Sequence, residues 1–118
     1  MGESFKDLLV WQRSIQMTLA VYRCTSSFPE SERFGLTNQL RRASVSVASN
    51  IAEGYGRAST GEYLQFLGHA RGSNCEVETQ LILSKGLGFG SDQSRQEAGA
   101  LCDEVGRMLV AMMKTLKN

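Results

Sequence analysis

The chain has 118 residues, of which 42% are hydrophobic and 21% are charged. This balance is ordinary for a globular domain and excludes an intrinsically disordered chain. Thirteen basic and twelve acidic side chains give a net charge of +1. The molecule therefore has no global field to hold nucleic acid or an anionic membrane, although a local basic patch stays open.

The cysteines and the hydropathy of the chain indicate in which cellular compartment the protein is expected. Cys24, Cys75 and Cys102 are odd in number and widely spaced, which favours free thiols in a reducing cytoplasm over a disulfide framework. The N-terminal MGESFKDLLVW has acidic residues and no long apolar run, so no signal peptide is predicted. No stretch reaches the ~18 consecutive apolar residues of a membrane span. The sequence predicts a cytoplasmic protein with no membrane partner.

Four amphipathic segments follow one another along the chain, each with apolar residues at steps of three and four. They predict helices over about 6–24, 31–53, 60–86 and 92–117. The predicted core stripes are Leu8, Trp11, Ile15, Leu19 and Tyr22 in the first helix, Leu36, Leu40, Ala43, Val47 and Ile51 in the second, Tyr63, Phe66, Leu67, Ala70, Val77 and Leu81 in the third, and Leu101, Val105, Met108, Met112 and Leu116 in the fourth.

Local signals set the predicted helix ends. Pro29 is the only proline, and the residue before a proline avoids the helical region, so the first helix ends ahead of it. The Gly-Tyr-Gly run at 54–56 is expected to stop the second helix. Ser59 and Glu62 form a capping-box pattern that opens the third helix. Gly86 or Gly88 would end that helix, and the next begins near residues 91–92.

The connections between these helices are short, which forces consecutive helices to lie antiparallel. The sequence therefore predicts one all-α domain over residues 1–118, an antiparallel up-down-up-down four-helix bundle. The alternative is a long helical hairpin that completes its core by dimerising. No alternating run is long enough to predict a β-strand.

Several segments resemble a known family. They are FKDLLVWQRSI, SFPESERFGLTNQLRRASVSVASNIAEGYGR, STGEYLQFLGHARGSNCEVETQL and the LGFG turn, with NIAEG at residues 50–54 the most specific. Together they resemble the four-helix-bundle proteins encoded in intervening sequences of bacterial 23S ribosomal RNA genes, over nearly the whole chain. The chain departs from the pattern at Asn74 and Cys75, where the family prefers an aliphatic residue.

The resemblance also implies a mode of assembly. Related members include accessory proteins of diversity-generating retroelements, which resemble barrel-shaped homopentamers that bind nucleic acid and a reverse transcriptase. The resemblance thus implies a homopentamer for this chain. Nucleic-acid binding transfers less directly, because those relatives are more basic.

A polar face on the second helix is one candidate site. Ser46, Asn50 and Glu53 share that face by helical spacing. They predict either a polar site on a subunit surface or a satisfied structural network, and the network is favoured because an unsatisfied buried polar group costs roughly 1–3 kcal/mol. Its expected members are Ser46, Asn50, Glu53, Ser73 and Glu76, with Arg57 as a further candidate partner.

Four arginines are the candidates for contact with RNA or DNA, namely Arg41, Arg42, Arg57 and Arg71. The alternative is that they form ion pairs with nearby glutamates such as Glu53, Glu62, Glu76 or Glu78, each contributing little when exposed. No RNA-binding signature or recognition-helix pattern accompanies them. The arginines alone do not predict a sequence-specific reader.

No residues assemble into a catalytic constellation. His69 is the only histidine, and neither a metal site nor a base-and-nucleophile pair can be built around it from neighbouring residues. Cys24 and Cys102 are expected to pack as small apolar side chains. The sequence predicts a protein that is not an enzyme and holds no metal or cofactor.

Glycines and aromatic residues favour self-association. Glycine in a helix costs about 0.8–1 kcal/mol relative to alanine, so its recurrence at 61, 68 and 72 and at 99 and 106 favours close helix contacts, either between subunits or inside one bundle. One bundle often cannot cover all of its aromatic residues near helix ends, and exposed aromatics commonly mark an interface; these residues are Phe5, Trp11, Phe28, Phe34 and Phe89. We expect a non-enzymatic oligomeric scaffold or interaction protein, with a nucleic-acid-binding accessory protein as the alternative.

Overall fold

The computed structural model describes residues 4–118 and contains four long helices. They are α1 (Leu9–Thr25), α2 (Leu36–Tyr55), α3 (Thr60–Leu87) and α4 (Asp92–Lys117), with short 3-10 turns at Phe5–Asp7 and Glu30–Glu32. Residues 4–118 contain no β-strand. The all-α prediction is confirmed.

The four helices form the four sides of an elongated bundle. Each helix packs against the next one in the chain, and α1 packs against α4, whereas the two diagonal pairs within residues 4–118 are not in close backbone contact. The molecule measures 43 × 23 × 23 Å. This arrangement fits the up-down-up-down bundle expected from short connections. The single chain encloses its own core, so the two-helix hairpin does not occur.

All four helices contribute fully buried side chains to the core. The largest are Met17, Leu40, Ile51, Leu67 and Leu109. The five predicted stripe residues of α2 are all buried. In α3 and α4 the predicted stripe residues are buried or partly buried. The 3.6-residue period therefore identifies the inner face of these three helices.

The predicted face of α1 is wrong in its C-terminal half. Leu19 and Tyr22 are 53% and 42% exposed, while Met17 and Val21 are buried. Apolar residues occupy several sides of α1, so the period alone does not select a face. Packing in the bundle selects the face that carries Met17, Val21 and Cys24. Beside it the Thr18 hydroxyl lies within hydrogen-bond distance of the Ser14 carbonyl of α1 at 2.9 Å and of the Ser44 carbonyl of α2 at 3.1 Å.

The second helix begins later than the predicted residue 31. Glu30–Glu32 forms a separate 3-10 turn after Pro29, and α2 starts only at Leu36. The carboxylate of Glu32 accepts a hydrogen bond from the Leu36 amide at 3.0 Å, which satisfies a donor left free at the helix start. Glu30 and Glu32 thus precede α2 instead of forming its first turn.

The ends of α3 follow the local signals. The Ser59 hydroxyl accepts a hydrogen bond from the Glu62 amide at 3.2 Å, as a capping box requires. Gly88 ends α3 in the left-handed conformation with φ 74°, and the Phe89 amide donates to the Ser84 carbonyl at 2.9 Å. This is the hydrogen-bond pattern of a Schellman motif, so Gly88 is the stop and Gly86 lies within the helix.

Most of the aromatic residues at helix ends are covered by the bundle itself. Phe5 packs edge-on against Trp11 with ring centroids 5.3 Å apart, and Phe28 packs against Phe89 at 5.6 Å. Phe34 alone of this group is left largely uncovered, at 84% exposed. The bundle therefore leaves one of the five uncovered, because the other four pair within the chain.

None of the helices in residues 4–118 combines the length and apolar character needed to cross a membrane.

Candidate functional site

A small hydrogen-bond network joins α2 and α3 near their middles. The Asn50 Nδ2 group donates to the carbonyl oxygen of Ser46 at 2.8 Å and to its hydroxyl oxygen at 3.0 Å. The hydroxyls of Ser46 and Ser73 are hydrogen-bonded to each other at 2.9 Å. Asn50 and Ser46 are one turn apart on α2, which is why a single carboxamide reaches both oxygens.

Glu53 and Glu76 stand outside this network. The Glu53 carboxylate forms an ion pair with Arg57 at 3.1 Å, and Glu76 is exposed on α3. Glu53 lies nearly one turn beyond Asn50, and its partner Arg57 lies just past the end of α2. The five-residue network expected from the sequence reduces to three residues.

Beside this network, α2 and α3 enclose a polar cleft of about 350 Å³, here called the α2/α3 cleft. Its lining residues are Asn38, Gln39, Arg42, Ala43, Ser46, Ser73, Glu76 and Gln80. Gln80 is only 9% exposed, and its Oε1 atom has no hydrogen-bond partner within residues 4–118. A buried polar atom of this kind requires an explanation, since most such atoms are paired.

Two of the four candidate arginines are engaged within the chain. Arg41 donates from Nε to the Thr25 hydroxyl at 2.8 Å, and its guanidinium lies over the Tyr22 ring at 4.4 Å. Arg57 pairs with Glu53 and stacks on the Phe66 ring at 4.4 Å. These contacts hold α2 against α1 and α3, respectively, so both arginines have structural roles.

The other two arginines are exposed on different sides of the molecule. Arg42 lines the α2/α3 cleft, while Arg71 lines a groove between α3 and α4 together with Asp103 and Arg107. Within residues 4–118, Arg42 and Arg71 form no ion pair at 4.0 Å or less. The structure does not bring the four arginines together into one basic patch.

His69 is exposed on α3, and its ring packs edge-on against Phe66 at 5.8 Å. Residues 4–118 hold no group of three His, Cys, Asp or Glu side chains placed to bind a metal ion. The three cysteines are free, with Cys24 and Cys102 buried and Cys75 exposed.

Asn74 holds α3 and α4 together from a buried position. Its Nδ2 group donates to the carbonyl oxygen of Cys102 at 2.9 Å, and the Cys102 thiol lies 3.4 Å from the Asn74 carbonyl. A Cβ atom on Gly106 would lie 3.1 Å from Asn74 Nδ2, so glycine makes room for this carboxamide. Burial, with smaller effects from Glu78, Cys75 and Asp103, raises the pKa of the Cys102 thiol to about 12.

The sequence patterns did not mark Asn74 or Gln80 as site residues. Both lie on the buried face of α3, where Ala70, Asn74, Val77 and Leu81 follow at steps of four, three and four, and Gln80 lies three residues after Val77. The sequence signal for these two residues is a polar side chain at a position where the helical period predicts a buried one. It shows that a carboxamide is buried, but its partner depends on the helix that packs opposite.

The internal glycines divide into two groups. At Gly54 a Cβ atom would lie 2.8 Å from Phe66 Cβ and 3.0 Å from Tyr63 Cδ1. Gly54 therefore lies inside α2 where α3 packs tightly against it, and α2 ends within the predicted Gly-Tyr-Gly run, at Tyr55 with Gly56 as its C-cap. At Gly61, Gly72 and Gly99 a Cβ atom would meet nothing within 4 Å. Close packing inside the bundle does not account for those three.

One end of the bundle carries a group of exposed large apolar side chains, here called the apolar end. Its members are Phe34 (84% exposed), Ile82 (66%), Leu83 (52%) and Leu87 (60%). They share one end because α2 begins where its antiparallel neighbour α3 finishes. Each of these four residues is more than half exposed.

Fold and surface together define a small all-α bundle with a polar α2/α3 cleft and an apolar end. The chain belongs to the 23S rRNA-intervening sequence protein family, whose family model matches residues 6–111. It is also similar in structure to a protein with unknown function from the S23 ribosomal protein family of Bacteroides thetaiotaomicron VPI-5482. That likeness has a TM-score of 0.80 at 19% sequence identity, and it covers 90% of this chain and 99% of the other. At this identity the likeness shows the fold alone.

A comparison with curated proteins finds no match.

Proposed function

We propose that this protein is a non-enzymatic scaffold that assembles with copies of itself in the cytoplasm. The observation that carries this proposal is the apolar end, where Phe34 and the last turns of α3 expose large apolar side chains. Ile82 lies toward α4 and Leu83 toward α2, so the apolar end offers apolar contacts on two sides of α3. Exposed apolar surface of this kind commonly marks sites of protein association. The free state of Cys24, Cys75 and Cys102 supports a reducing compartment.

The number of copies rests on family resemblance. The likeness to accessory proteins of diversity-generating retroelements implies a ring of five. A ring requires two different surface patches on each copy, because one patch must meet another on the next subunit. Exposed apolar residues away from the apolar end, such as Leu19 and Val45, are available for the second patch. The family name alone connects the scaffold to RNA or ribosomal RNA processing.

Light scattering on the purified full chain tests this proposal. The wild type is compared with variants that carry a charged residue in the apolar end. We expect the wild type to have a mass of several times the 13.0 kDa of one chain. Leu83→Glu and Leu87→Glu should each lower that mass, because burying a new carboxylate in an apolar interface is unfavourable.

The matched control is Gln65→Glu, which places the same new charge at an exposed position near the other end of α3. It should keep the wild-type mass. A wild type that sediments as a cooperatively folded 13.0 kDa particle at working concentration would overturn the proposal.

A second candidate function is nucleic-acid binding, favoured by the exposure of Arg42 and Arg71, which have no ion-pair partner within residues 4–118. Repetition of these two arginines around an assembly would present several cations to RNA or DNA. Binding should then weaken by roughly 0.7–0.9 log units per log unit of salt for each phosphate contact. The absorbance ratio at 260 and 280 nm after gentle purification, and its fall in high salt, measures this directly.

A further inference from the structure

The α3 wall of the α2/α3 cleft presents hydrogen-bond acceptors. Glu76 and Gln80 are four residues apart on α3, so they occupy the same face, and both line the cleft. The Gln80 Oε1 atom is buried and has no hydrogen-bond partner within the described chain. This wall therefore combines a negative charge with an acceptor that lacks a donor.

The α2 wall presents donors in the matching position. Arg42 and Ser46 are also four residues apart, and they line the same cleft. The Ser46 and Ser73 hydroxyls share one hydrogen bond, while the Ser46 oxygen also accepts from Asn50. The two hydroxyls carry two hydrogens, and only one of these is used in the bond between them. The other hydrogen has no acceptor within residues 4–118. The cleft thus holds a positive charge on α2 and one spare hydroxyl hydrogen on the Ser46–Ser73 pair, which joins α2 to α3.

The two opposite charges do not neutralise each other. Arg42 and Glu76 are not joined by an ion pair within residues 4–118, although both line one cleft of about 350 Å³. That volume lies within the range of about 300–1,000 Å³ of small-molecule sites. A ligand that complements the cleft needs an anionic group toward α2 and a cationic donor toward α3.

We propose that the α2/α3 cleft binds a free α-amino acid as its zwitterion. The ligand carboxylate lies on Arg42 and the spare serine hydroxyl, and the ligand ammonium group lies between Glu76 and the Gln80 amide oxygen. The amide reaches the ligand by rotation about its terminal torsion, which has a broad and shallow energy profile. Pairing removes the unsatisfied acceptor, and the hydrogen bonds to charged groups are the strong ones.

This site is independent of the scaffold role. Its ligand is a small molecule in the α2/α3 cleft, whereas the assembly proposed above rests on the apolar end, whose residue Leu83 lines an adjoining groove with Glu76 and Gln80. If the protein does not self-associate, the ligand site can still be correct. If no ligand binds, the proposed assembly can still be correct.

Isothermal titration calorimetry on the full chain provides the test, with L-serine, L-glutamine and L-leucine each titrated alone. We expect at least one to bind. For that amino acid, the N-acetyl derivative lacks the ammonium group and the carboxamide derivative lacks the carboxylate. Each derivative should bind at least about 10-fold more weakly, because each leaves one charged wall of the cleft without its partner.

Substitutions of cleft residues test whether the amino acid binds in the α2/α3 cleft. Arg42→Gln and Glu76→Gln should each weaken binding by about 10-fold or more. Arg71→Gln removes an exposed arginine that lines the separate α3/α4 groove, and should bind like the wild type. Arg42 and Glu76 are exposed, so the variants are expected to fold, and circular dichroism checks this.

Three results would overturn the proposal. One is the absence of binding by all three amino acids. Another is equal binding by the N-acetyl and carboxamide derivatives, which would show that binding does not depend on the two charges of the ligand. The third is a lower solution mass of Arg42→Gln without heat from any amino acid, which would identify the cleft as a contact between copies.

Discussion

At the scale of single residues, a few buried or half-buried polar groups connect the helices. Asn50, Ser46 and Ser73 link α2 to α3, and Asn74 links α3 to α4. Such groups favour one register between two helices, because a shifted helix would leave them unpaired at a cost of about 1–3 kcal/mol each. Their roles follow from their partners, and the residue type alone does not reveal them.

Removing the Asn50 side chain should destabilise the fold. Asn50→Ala deletes the donor to two Ser46 oxygens at 2.8 and 3.0 Å, and we expect a loss of about 1 kcal/mol in the free energy of unfolding. Chemical denaturation measures it. Ser49→Ala, at the exposed neighbouring position, is the control and should change little. Unchanged stability and unchanged mass in Asn50→Ala would dismiss the structural role.

The buried thiol of Cys102 should make stability fall at high pH. Its pKa is raised to about 12 in the folded protein, against about 8.5 for a free thiol. Above the lower value the unfolded chain releases a proton that the folded chain retains, so stability is complete below it and declines as pH rises toward the higher value. Between about pH 7 and about pH 10 the loss from this group is roughly 2 kcal/mol.

Cys102→Ala isolates this effect. The variant lacks the thiol and should lose less stability over the same pH interval than the wild type, measured by denaturant unfolding. A thiol reagent gives a second readout, since it should modify only the exposed Cys75 in the folded protein and all three cysteines after unfolding. Equal pH dependence in both proteins would contradict the assignment.

At the scale of the helices, contacts depend on small residues at the crossing points. Gly54 lets α2 approach α3 near Phe66, and Gly106 leaves room for the Asn74 carboxamide between α3 and α4. Helix propensity alone disfavours glycine at both positions. The packing that glycine allows offsets this intrinsic cost.

A methyl group at residue 54 should be destabilising. In Gly54→Ala the new atom would meet Phe66 Cβ at 2.8 Å, and because that atom is fixed to the backbone, α3 itself must move. Overpacking of this kind costs about 1–3 kcal/mol, which exceeds the gain of about 1 kcal/mol from alanine in a helix. Thermal or chemical unfolding measures the net loss.

Gly61→Ala is the matched control for Gly54→Ala. It makes the same substitution near the start of α3, where a Cβ atom meets nothing within 4 Å. The expected sign is reversed, with a gain of up to about 1 kcal/mol. If both variants were stabilised, the close approach at Gly54 would be refuted.

At the scale of the whole molecule, the bundle closes its own core and still leaves apolar side chains outside. The largest fully buried residues come from all four helices, whereas Ile82, Leu83 and Leu87 point outward near the end of α3. Two kinds of association respond differently to salt. Ion contacts weaken as the Debye length shortens, while burial of apolar surface does not depend on it.

The proposed assembly should therefore resist salt. Raising sodium chloride from about 0.1 M to about 1 M shortens the Debye length from about 10 Å to about 3 Å, and we expect the mass by light scattering to stay the same. Any co-purified nucleic acid should dissociate over this range. An assembly that falls apart at the higher salt would show that charged residues, not the apolar end, hold it together.

The sequence by itself determined the helical class, the ends of α3 and α4 and the buried face of α2. These features rest on signals within one or two turns of chain, such as the Ser59 cap and the left-handed Gly88. Local hydrogen bonds and the helical period act in the same way whatever packs opposite. That is why these predictions needed no knowledge of the rest of the molecule.

Only the tertiary structure decided the features that depend on a second helix. It selected the inner face of α1, placed Gly54 at a helix crossing and divided the arginines, with Arg41 and Arg57 engaged and Arg42 and Arg71 exposed. It also enclosed Gln80 in the α2/α3 cleft. An arginine or a carboxamide can reach partners in many directions. Its role is fixed when folding brings one particular backbone within hydrogen-bond distance and excludes the others.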